Sequence, residues 1–352
     1  MHAVPSFLLV ITVAAVGGFI GTKLKLPAGA MLGAMIATVI MQMIFEQPAL
    51  PQGLRVVLQL ASGILIGSRV AKKDAIGLKR LALPVIVLIT CMLIINIVVG
   101  TTMYQFSYLD IATSLFASAP GGLMDMTLIS SELGANSAYV ALLQLSRLIF
   151  IFTCMVPFYR KIAHKVKNAD MTKPLNTDAK SVPQTTNPMY RLCITVLCGC
   201  TSGLILWRFG VPAGAIIGAM LGTAICNVVT GKAYFPPRAR LPLQIVAGAF
   251  IGLRMDRDSI FAMGNLIVPV LILFAGVVFI TFATAFVMRK LTGLDFATCV
   301  LASTPGGLTE MSLLADDLGL DTPKIAILQT SRLMSVIIFF PTMLYFVLRL
   351  MR

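Results

Sequence analysis

Two arginines lie inside long apolar stretches of this chain, where a charge is costly. Arg147 and Arg332 each come about nine residues into an apolar helical run, which at about 1.5 Å per residue is near the centre of a bilayer. An arginine there costs at least about 2.5–3.5 kcal/mol on insertion scales, so each should face the protein interior and have an anionic partner. That partner is either an internal acid or a carboxylate or phosphate of a bound molecule, which the guanidinium would hold in a bidentate manner.

Asp125 and Glu310 are the internal acids best placed to serve these arginines. Each stands three residues after a Gly-Gly pair, in a segment that is less apolar than its neighbours. They could neutralise the arginines, bind a coupling cation or carry a proton. We predict them as ion-coupling residues and leave these alternatives open.

The two acidic segments are each interrupted by a Pro-Gly-Gly triad with a serine two places before it. A proline followed by two glycines disfavours continuation of a helix, so main-chain amides and helix ends are left free to bind a ligand at membrane depth. The alternative is that the triads only ease close packing or a kink. Gln144 and Gln329, three residues before the arginines, add neutral groups that suit either ligand contacts or interhelical contacts. The predicted substrate-binding residues are Ser118, Pro120, Gly121, Gly122, Gln144, Arg147, Ser303, Pro305, Gly306, Gly307, Gln329 and Arg332.

Composition shows that these residues belong to a membrane protein. Of 352 residues, 58% are apolar and 12% charged, which excludes a soluble enzyme. The apolar residues fall in runs of about 15–24, long enough to be membrane spans. The formal net charge of +14 comes from Lys and Arg in short loops, as the positive-inside rule describes, so no nucleic-acid partner is expected. Seven Cys and two His are too scattered for a metal framework, and neither a cofactor nor an enzymatic activity is expected.

The chain is an internal duplication. The stretch that begins Pro27-Ala28-Gly29 returns 185 residues later as Pro212-Ala213-Gly214, and the Pro-Gly-Gly triads and the Gln-x-Ser-Arg motifs repeat with the same offset and no gap. We therefore divide the chain into repeat 1 (1–165), a polar cytoplasmic linker (166–185) and repeat 2 (186–352).

Charge and run lengths predict an inverted arrangement of the repeats. In repeat 1 the apolar runs are 5–22, 27–44, 55–69, 81–103 and 138–159. The basic segments 69–80 and 160–180 should be cytoplasmic, whereas 45–53 and 104–110, which hold no Lys or Arg, should face outward. The chain must cross the membrane an odd number of times between 104–110 and 160–180, yet two segments lie between them, so 111–130 should enter and leave on the same side. Each repeat then has five spans. Because five is odd, repeat 2 should insert with the opposite orientation to repeat 1.

The predicted fold class is an all-α polytopic membrane protein of two inverted repeats. Each repeat has five spans and one re-entrant hairpin, at 111–130 and 296–315, and both termini are expected to be periplasmic. Inverted repeats with broken helices are typical of secondary transporters, which bind cargo where the repeats meet.

The two sequences that surround the triads, Ala-Pro-Gly-Gly-Leu-x-Asp-Met (119–126) and Thr-Pro-Gly-Gly-Leu-x-Glu-Met (304–311), resemble the membrane AbrB family, as does the duplicated Gln-x-Ser-Arg. The likeness covers nearly the whole chain and implies a bacterial inner-membrane protein. That family is similar to the cation:proton antiporter and anion transporter group, which implies an ion-coupled carrier with Gly121, Gly122, Gly306 and Gly307 at the hairpin tips. Members also bear the labels ammonia monooxygenase and regulator of gene expression. The first finds no support, since an oxygenase needs a cluster of metal ligands and this chain has two histidines.

Together these patterns predict a secondary transporter of a small, anionic organic solute, driven by H⁺ or Na⁺. The alternative is a membrane sensor or regulator that binds a ligand in the same cavity without net transport. The expected partners are the solute and the lipid bilayer, and analogy with related carriers implies a homodimer.

Overall fold

The part of the chain that its computed structural model describes contains helices, their connecting turns and no strands. That part comprises residues 3–24, 29–45, 52–70, 72, 77, 81–159, 188–253, 266–307, 311, 314–315 and 318–350. The all-α prediction is thereby confirmed for these residues.

Seven helices of repeat 1 have bounds within the described residues. They are α1 (Ala3–Lys23), α2 (Gly29–Phe45), α3 (Gln52–Gly67), α4 (Ala82–Phe106), α5 (Ile111–Ser118), α6 (Leu123–Glu132) and α7, which begins as Ser137–Phe150 and continues through a π-helical turn, Ile151–Met155, to Tyr159. Each of the five apolar runs predicted in this repeat corresponds to one helix, and the Pro-Gly-Gly triad separates α5 from α6.

Repeat 2 shows a corresponding succession of helices in its described residues; the second half of the predicted hairpin 296–315 lies largely outside them. They are α8 (Pro188–Arg208), α9 (Gly214–Thr230), α10 (Arg240–Gly252), α11 (Ile267–Thr292), α12 (Phe296–Ser303) and α13 (Thr322–Leu350). Helices α8, α9, α11, α12 and α13 begin 185 residues after α1, α2, α4, α5 and α7. Asp110 and Asp295, an equivalent pair, cap α5 and α12 by accepting the N–H of Thr113 and Thr298.

Among the described residues, five helices are long and apolar enough to cross a membrane, by length and composition: Ala82–Phe106, Ser137–Tyr159, Pro188–Arg208, Ile267–Thr292 and Thr322–Phe346. This supports the predicted membrane protein. The other five predicted spans correspond to apolar helical stretches of 10–17 residues. At 17 residues α2 is about 26 Å long, slightly less than the hydrocarbon thickness of a typical bilayer.

Glycines bring the first two helices of each repeat into main-chain contact. A Cβ added to Gly33 would lie 2.0 Å from the carbonyl oxygen of Gly17, and one added to Gly21 would lie 2.0 Å from that of Gly29. The residue numbers rise in one helix as they fall in the other, so α1 and α2 are antiparallel. Helices α8 and α9 are packed in the same way, with Gly218 against Ser202.

The third helix of each repeat, α3 or α10, packs against the second helix of the other repeat. Gly63 and Gly67 of α3 lie on the main chain of Ile216 and Met220 in α9, so these two helices are parallel. Helix α10 lies on α2 in the matching way. Helix α4 packs on its equivalent α11, where Gly276 lies against Val99.

The segment of α5 and α6 returns to the level at which it began. The N–H of Asn136, which follows α6, donates to Thr113 Oγ1 in the first turn of α5 at 2.8 Å. Helix α6 also runs against α3, because Arg55 bonds to the carbonyl of Ser131 while Ser62 bonds to Asp125. The two half-helices therefore form a hairpin whose tip is the Pro-Gly-Gly triad.

Candidate functional site

The tip of the first hairpin leaves main-chain amides without helical partners. Helix α5 ends at Ser118, and the Gly121 N–H then donates to the Ala119 carbonyl at 2.8 Å. The first main-chain hydrogen bond of α6 runs from Met126 to Gly122, so the amides of residues 122–125 precede it. This positive end of the α6 dipole points at the space around the tip.

The second tip repeats this pattern with one difference. The Gly306 N–H donates to the Thr304 carbonyl at 2.9 Å, and the Met311 N–H donates to Gly307 at 3.1 Å. Gly307 has a φ of 97°, a region that favours glycine, whereas Gly122 has a φ of −73°. Equivalent glycines thus take different main-chain conformations at the two tips.

Arg147 and Gln144 of α7 bind the carbonyl end of α5. The two terminal nitrogens of Arg147 donate to the carbonyls of Ala119 and Gly121, at 2.5 and 2.9 Å. Gln144 Nε2 donates to the carbonyls of Phe116 and Ala119, at 2.8 and 2.9 Å. Helix α7 therefore satisfies carbonyls that the end of a helix leaves unpaired.

Arg332 and Gln329 of α13 do the same at the second tip. Arg332 Nη1 donates to the carbonyls of Ala302 and Thr304, and Gln329 Nε2 donates to those of Leu301 and Thr304. Arg147 is 1% exposed and Arg332 is 4% exposed, so both are interior groups, as the sequence predicts.

Main-chain carbonyls, and not Asp125, are the partners of Arg147. No ion pair joins these two residues, both of which the structure describes. Asp125 is buried in the first turn of α6 and accepts a hydrogen bond from Ser62 of α3. The internal pair considered from the sequence is therefore absent in repeat 1. Glu310, the corresponding acid of repeat 2, lies outside the described residues.

The two tips meet at one cavity of about 200 Å³. Gly121 and Gly122 line it from the first hairpin, and Pro305, Gly306 and Gly307 line it from the segment that follows α12. Its polar and charged lining consists of Ser62, Arg69, Asp125, Arg147, Arg240, Gln244, Gln329 and Arg332. The described lining of the cavity therefore contains four arginines and one carboxylate.

A second cavity of about 10 Å³, the size of one water molecule, lies behind the tips between α4 and α11. Ser118, Pro120, Arg147 and Pro305 line it together with Asn96. Asn96 is 1% exposed, and its amide makes no hydrogen bond within the described chain.

Most of the predicted binding residues come together at these two cavities, with two exceptions. Ser303 donates its hydroxyl to the Thr281 carbonyl of α11, and Gln144 is bonded to α5; neither lines a cavity. Conversely, Arg69 and Arg240 line the larger cavity, although their sequence context indicated only loop charges. The repetition of Arg69 as Arg254 at the common offset is the signal that marks Arg69 as more than a topological charge.

Comparison with known families decides the relationship of this chain. A model of the family AbrB, described as transition state regulatory protein AbrB, matches residues 1–163 and again 75–348. The chain belongs to the AbrB family. This confirms the resemblance drawn from the duplicated motifs, and the two overlapping matches agree with an AbrB sequence that is internally repeated.

Two relatives align with this chain along most of its length. It is 27% identical to the "Uncharacterized protein YhjN" of Bacillus subtilis (strain 168) over 352 residues, which cover 94% of this chain and 90% of that protein. It is 24% identical to the "Putative regulator AbrB" of Escherichia coli (strain K12) over 331 residues, which cover 94% and 92%. Neither name concerns transport, and one concerns regulation.

Proposed function

We propose that this AbrB protein is a secondary carrier of the bacterial inner membrane, which moves a small anionic organic solute by alternating access and is coupled to H⁺ or Na⁺. The observation that carries the proposal is the cavity at which two broken helical segments meet. Four arginines and one aspartate line this cavity. Broken helices from two repeats that meet around a ligand are the usual construction of secondary transporters.

The charge of the cavity favours an anion. Arg147 and Arg332 are interior groups, and Arg69 and Arg240 are exposed at its edge. The amides at the start of α6 add the positive end of a helix dipole. Asp125 offsets only part of this charge, so a carboxylate or phosphate group of a solute gains more than a cation would.

The helix directions support inverted repeats with re-entrant hairpins. Helices α2 and α3 are joined by a connection of six residues, so they are expected to run in opposite directions. Helix α9 is parallel to α3 and is the equivalent of α2. Equivalent helices then point to opposite sides of the membrane, and each hairpin tip enters from a different side.

The cavity opens toward the side that the charge rule assigns to the cytoplasm. Arg69 follows α3 and Arg240 begins α10, next to the most basic connections of each repeat. The opposite end of α6 is closed by Glu132, which accepts hydrogen bonds from Gln59 and from the Ala213 N–H. We assign the structure to an inward-facing state of the carrier, with both termini periplasmic.

Asp125 is the proposed coupling residue of repeat 1, with Glu310 as its counterpart by sequence. Asp125 is 7% exposed and lines the cavity, so a proton or a cation on its carboxylate would alter the charge that the solute meets. A carrier of this kind needs no enzymatic group, no cofactor and no nucleic acid; a homodimer is proposed by analogy only.

Ligand-dependent thermal stabilisation tests the site. The purified protein is screened against carboxylates, amino acids, phosphates and monovalent cations; a ligand at about 100 times its Kd should stabilise by about 2.7 kcal/mol. We expect stabilisation by a small anion, and we expect Arg240→Gln to weaken it. Arg238→Gln is the matched control, since Arg238 is an exposed residue of the same connection that does not line the cavity. Equal effects of the two substitutions, or no anion that stabilises, would argue against the anion site.

A membrane sensor is the second candidate, favoured by the name of the Escherichia coli relative. It would bind the same anion without net transport. Counterflow of the labelled anion in proteoliposomes separates the two functions, because a carrier exchanges internal for external ligand and a pure sensor does not.

A further inference from the structure

The carbonyl ends of α5 and α12 are the places where a carrier of this construction would be expected to hold a metal cation. A helix ends in four carbonyls without helical partners and carries the negative end of its dipole there. In transporters with broken helices, such carbonyls coordinate Na⁺.

In this protein those carbonyls are already occupied by side chains. The guanidinium of Arg147 binds the carbonyls of Ala119 and Gly121, and that of Arg332 binds those of Ala302 and Thr304. The amides of Gln144 and Gln329 take the carbonyls one turn earlier and share those of Ala119 and Thr304.

The guanidinium groups of Arg147 and Arg332 carry the same charge, +1, as the Na⁺ ion whose place they take. A guanidinium stays protonated in proteins, and Arg147 meets dipoles and no described carboxylate within ion-pair distance. Na⁺ would have to displace an interior arginine that makes two or more hydrogen bonds, and it would lie beside a positive charge.

We propose that Arg147 and Arg332 are tethered cations that take the place of coupling sodium ions, so that the described carbonyl ends of α5 and α12 bind no Na⁺ and the carrier is sodium-independent. The consequence for transport rests on the proposed function and leaves H⁺ as the coupling ion. The statement about the tips concerns binding alone and stands apart from transport.

The first experiment measures thermal unfolding of the purified wild-type protein in NaCl, KCl, LiCl and choline chloride at equal ionic strength. We expect the same Tm in all four salts. A higher Tm in NaCl than in KCl and choline chloride would overturn the proposal, whatever the variants below show.

The second experiment is chemical rescue of Arg332→Ala. Loss of the guanidinium should lower the Tm by several degrees, and millimolar methylguanidinium, set against equal methylammonium, should restore at least half of the loss. Arg191→Ala is the matched control, because Arg191 also donates to two main-chain carbonyls, of Lys232 and Ala233, but is only partly buried. We expect no rescue of the control.

An Arg332→Ala variant that keeps the wild-type Tm, or one that methylguanidinium does not stabilise, contradicts the tethered cation. If the variant does not fold, the salt series on the wild type decides. The anion screen is independent of both experiments: sodium binding would remove this inference and leave the carrier, whereas a failed anion screen would remove the carrier and leave the tethered cations.

Discussion

Asp125 is buried and, among the residues that the structure describes, receives a side-chain hydrogen bond from one donor. Its carboxylate lies in the first turn of α6, where a negative charge is favoured by the helix dipole, and it accepts a hydrogen bond from Ser62 of the neighbouring α3. The same pair joins the first hairpin to the helix that exchanges partners with repeat 2. A hydroxyl on one helix thus positions the acid of another.

Replacing Ser62 by alanine should therefore destabilise the protein. A buried acceptor that loses its partner costs about 1–3 kcal/mol, so thermal unfolding should occur at a lower temperature. Ser68→Ala is the control, since that hydroxyl donates only to the Leu65 carbonyl within the same turn. Should both variants unfold together with the wild type, the hydrogen bond to Asp125 contributes nothing to stability.

At the scale of the helices, close approach is achieved by glycine. Helices α1 and α2 touch through Gly17, Gly21, Gly29 and Gly33, with no side chain between their main chains. Association inside a membrane depends on such packing, because lipid chains are as apolar as the helix surfaces they would replace. Each antiparallel pair therefore behaves as a unit whose spacing is fixed by its smallest residues.

A single methyl group should be enough to separate such a pair. Gly33→Ala places a Cβ where only 2.0 Å separates it from the Gly17 carbonyl oxygen, and the overpacking should cost about 1–3 kcal/mol in stability. Gly53→Ala, in the first turn of α3, meets nothing within 4 Å and should be neutral or slightly stabilising. Thermal unfolding of both variants measures the contrast, and a Gly33→Ala protein as stable as Gly53→Ala contradicts it.

At the scale of the whole molecule, the proposed inversion places equivalent residues on opposite sides of the membrane. Gln105 and Lys290 occupy the same position near the ends of α4 and α11, 185 residues apart, and both are exposed. A direct repeat would place them on one side. The two residues thus distinguish the alternatives without reference to any ligand.

Cysteine labelling in intact cells gives the measurement. In a background that lacks the seven native cysteines, Gln105→Cys should react with a membrane-impermeant maleimide from outside, and Lys290→Cys should react only after permeabilisation. Labelling of both positions from the same side would refute the inverted repeats and, with them, the inward-facing assignment.

Much of the architecture follows from local sequence signals. The apolar runs predict helices because a span must satisfy its own main-chain hydrogen bonds, and Pro120-Gly121-Gly122 predicts a break because a proline followed by two glycines disfavours a helix. The costly burial of Arg147 predicts an interior position. Each of these inferences needs only one segment of the chain and the membrane around it.

The partners of the same residues could not be predicted, since they depend on the packing between segments. Arg147 donates to main-chain carbonyls. Every residue has such a carbonyl, so the sequence does not indicate which one an arginine will bind, whereas the acidic side chain of Asp125 is an evident candidate. Arg240 stands in a basic connection and reaches the cavity only because α10 packs on α2. The exchange of helices between repeats is equally invisible, because both repeats have the same apolar pattern.

The parallel pairing of α2 with α10 and of α3 with α9 also constrains biosynthesis. When the ribosome has finished the first repeat, α2 and α3 already lie in the membrane, but their partners have not been made. At about 5–20 residues per second, α10 is complete roughly ten seconds later. During that interval the first half has two helix surfaces, on α2 and α3, that lack their final partners. Separately encoded halves would have to meet before either became stable.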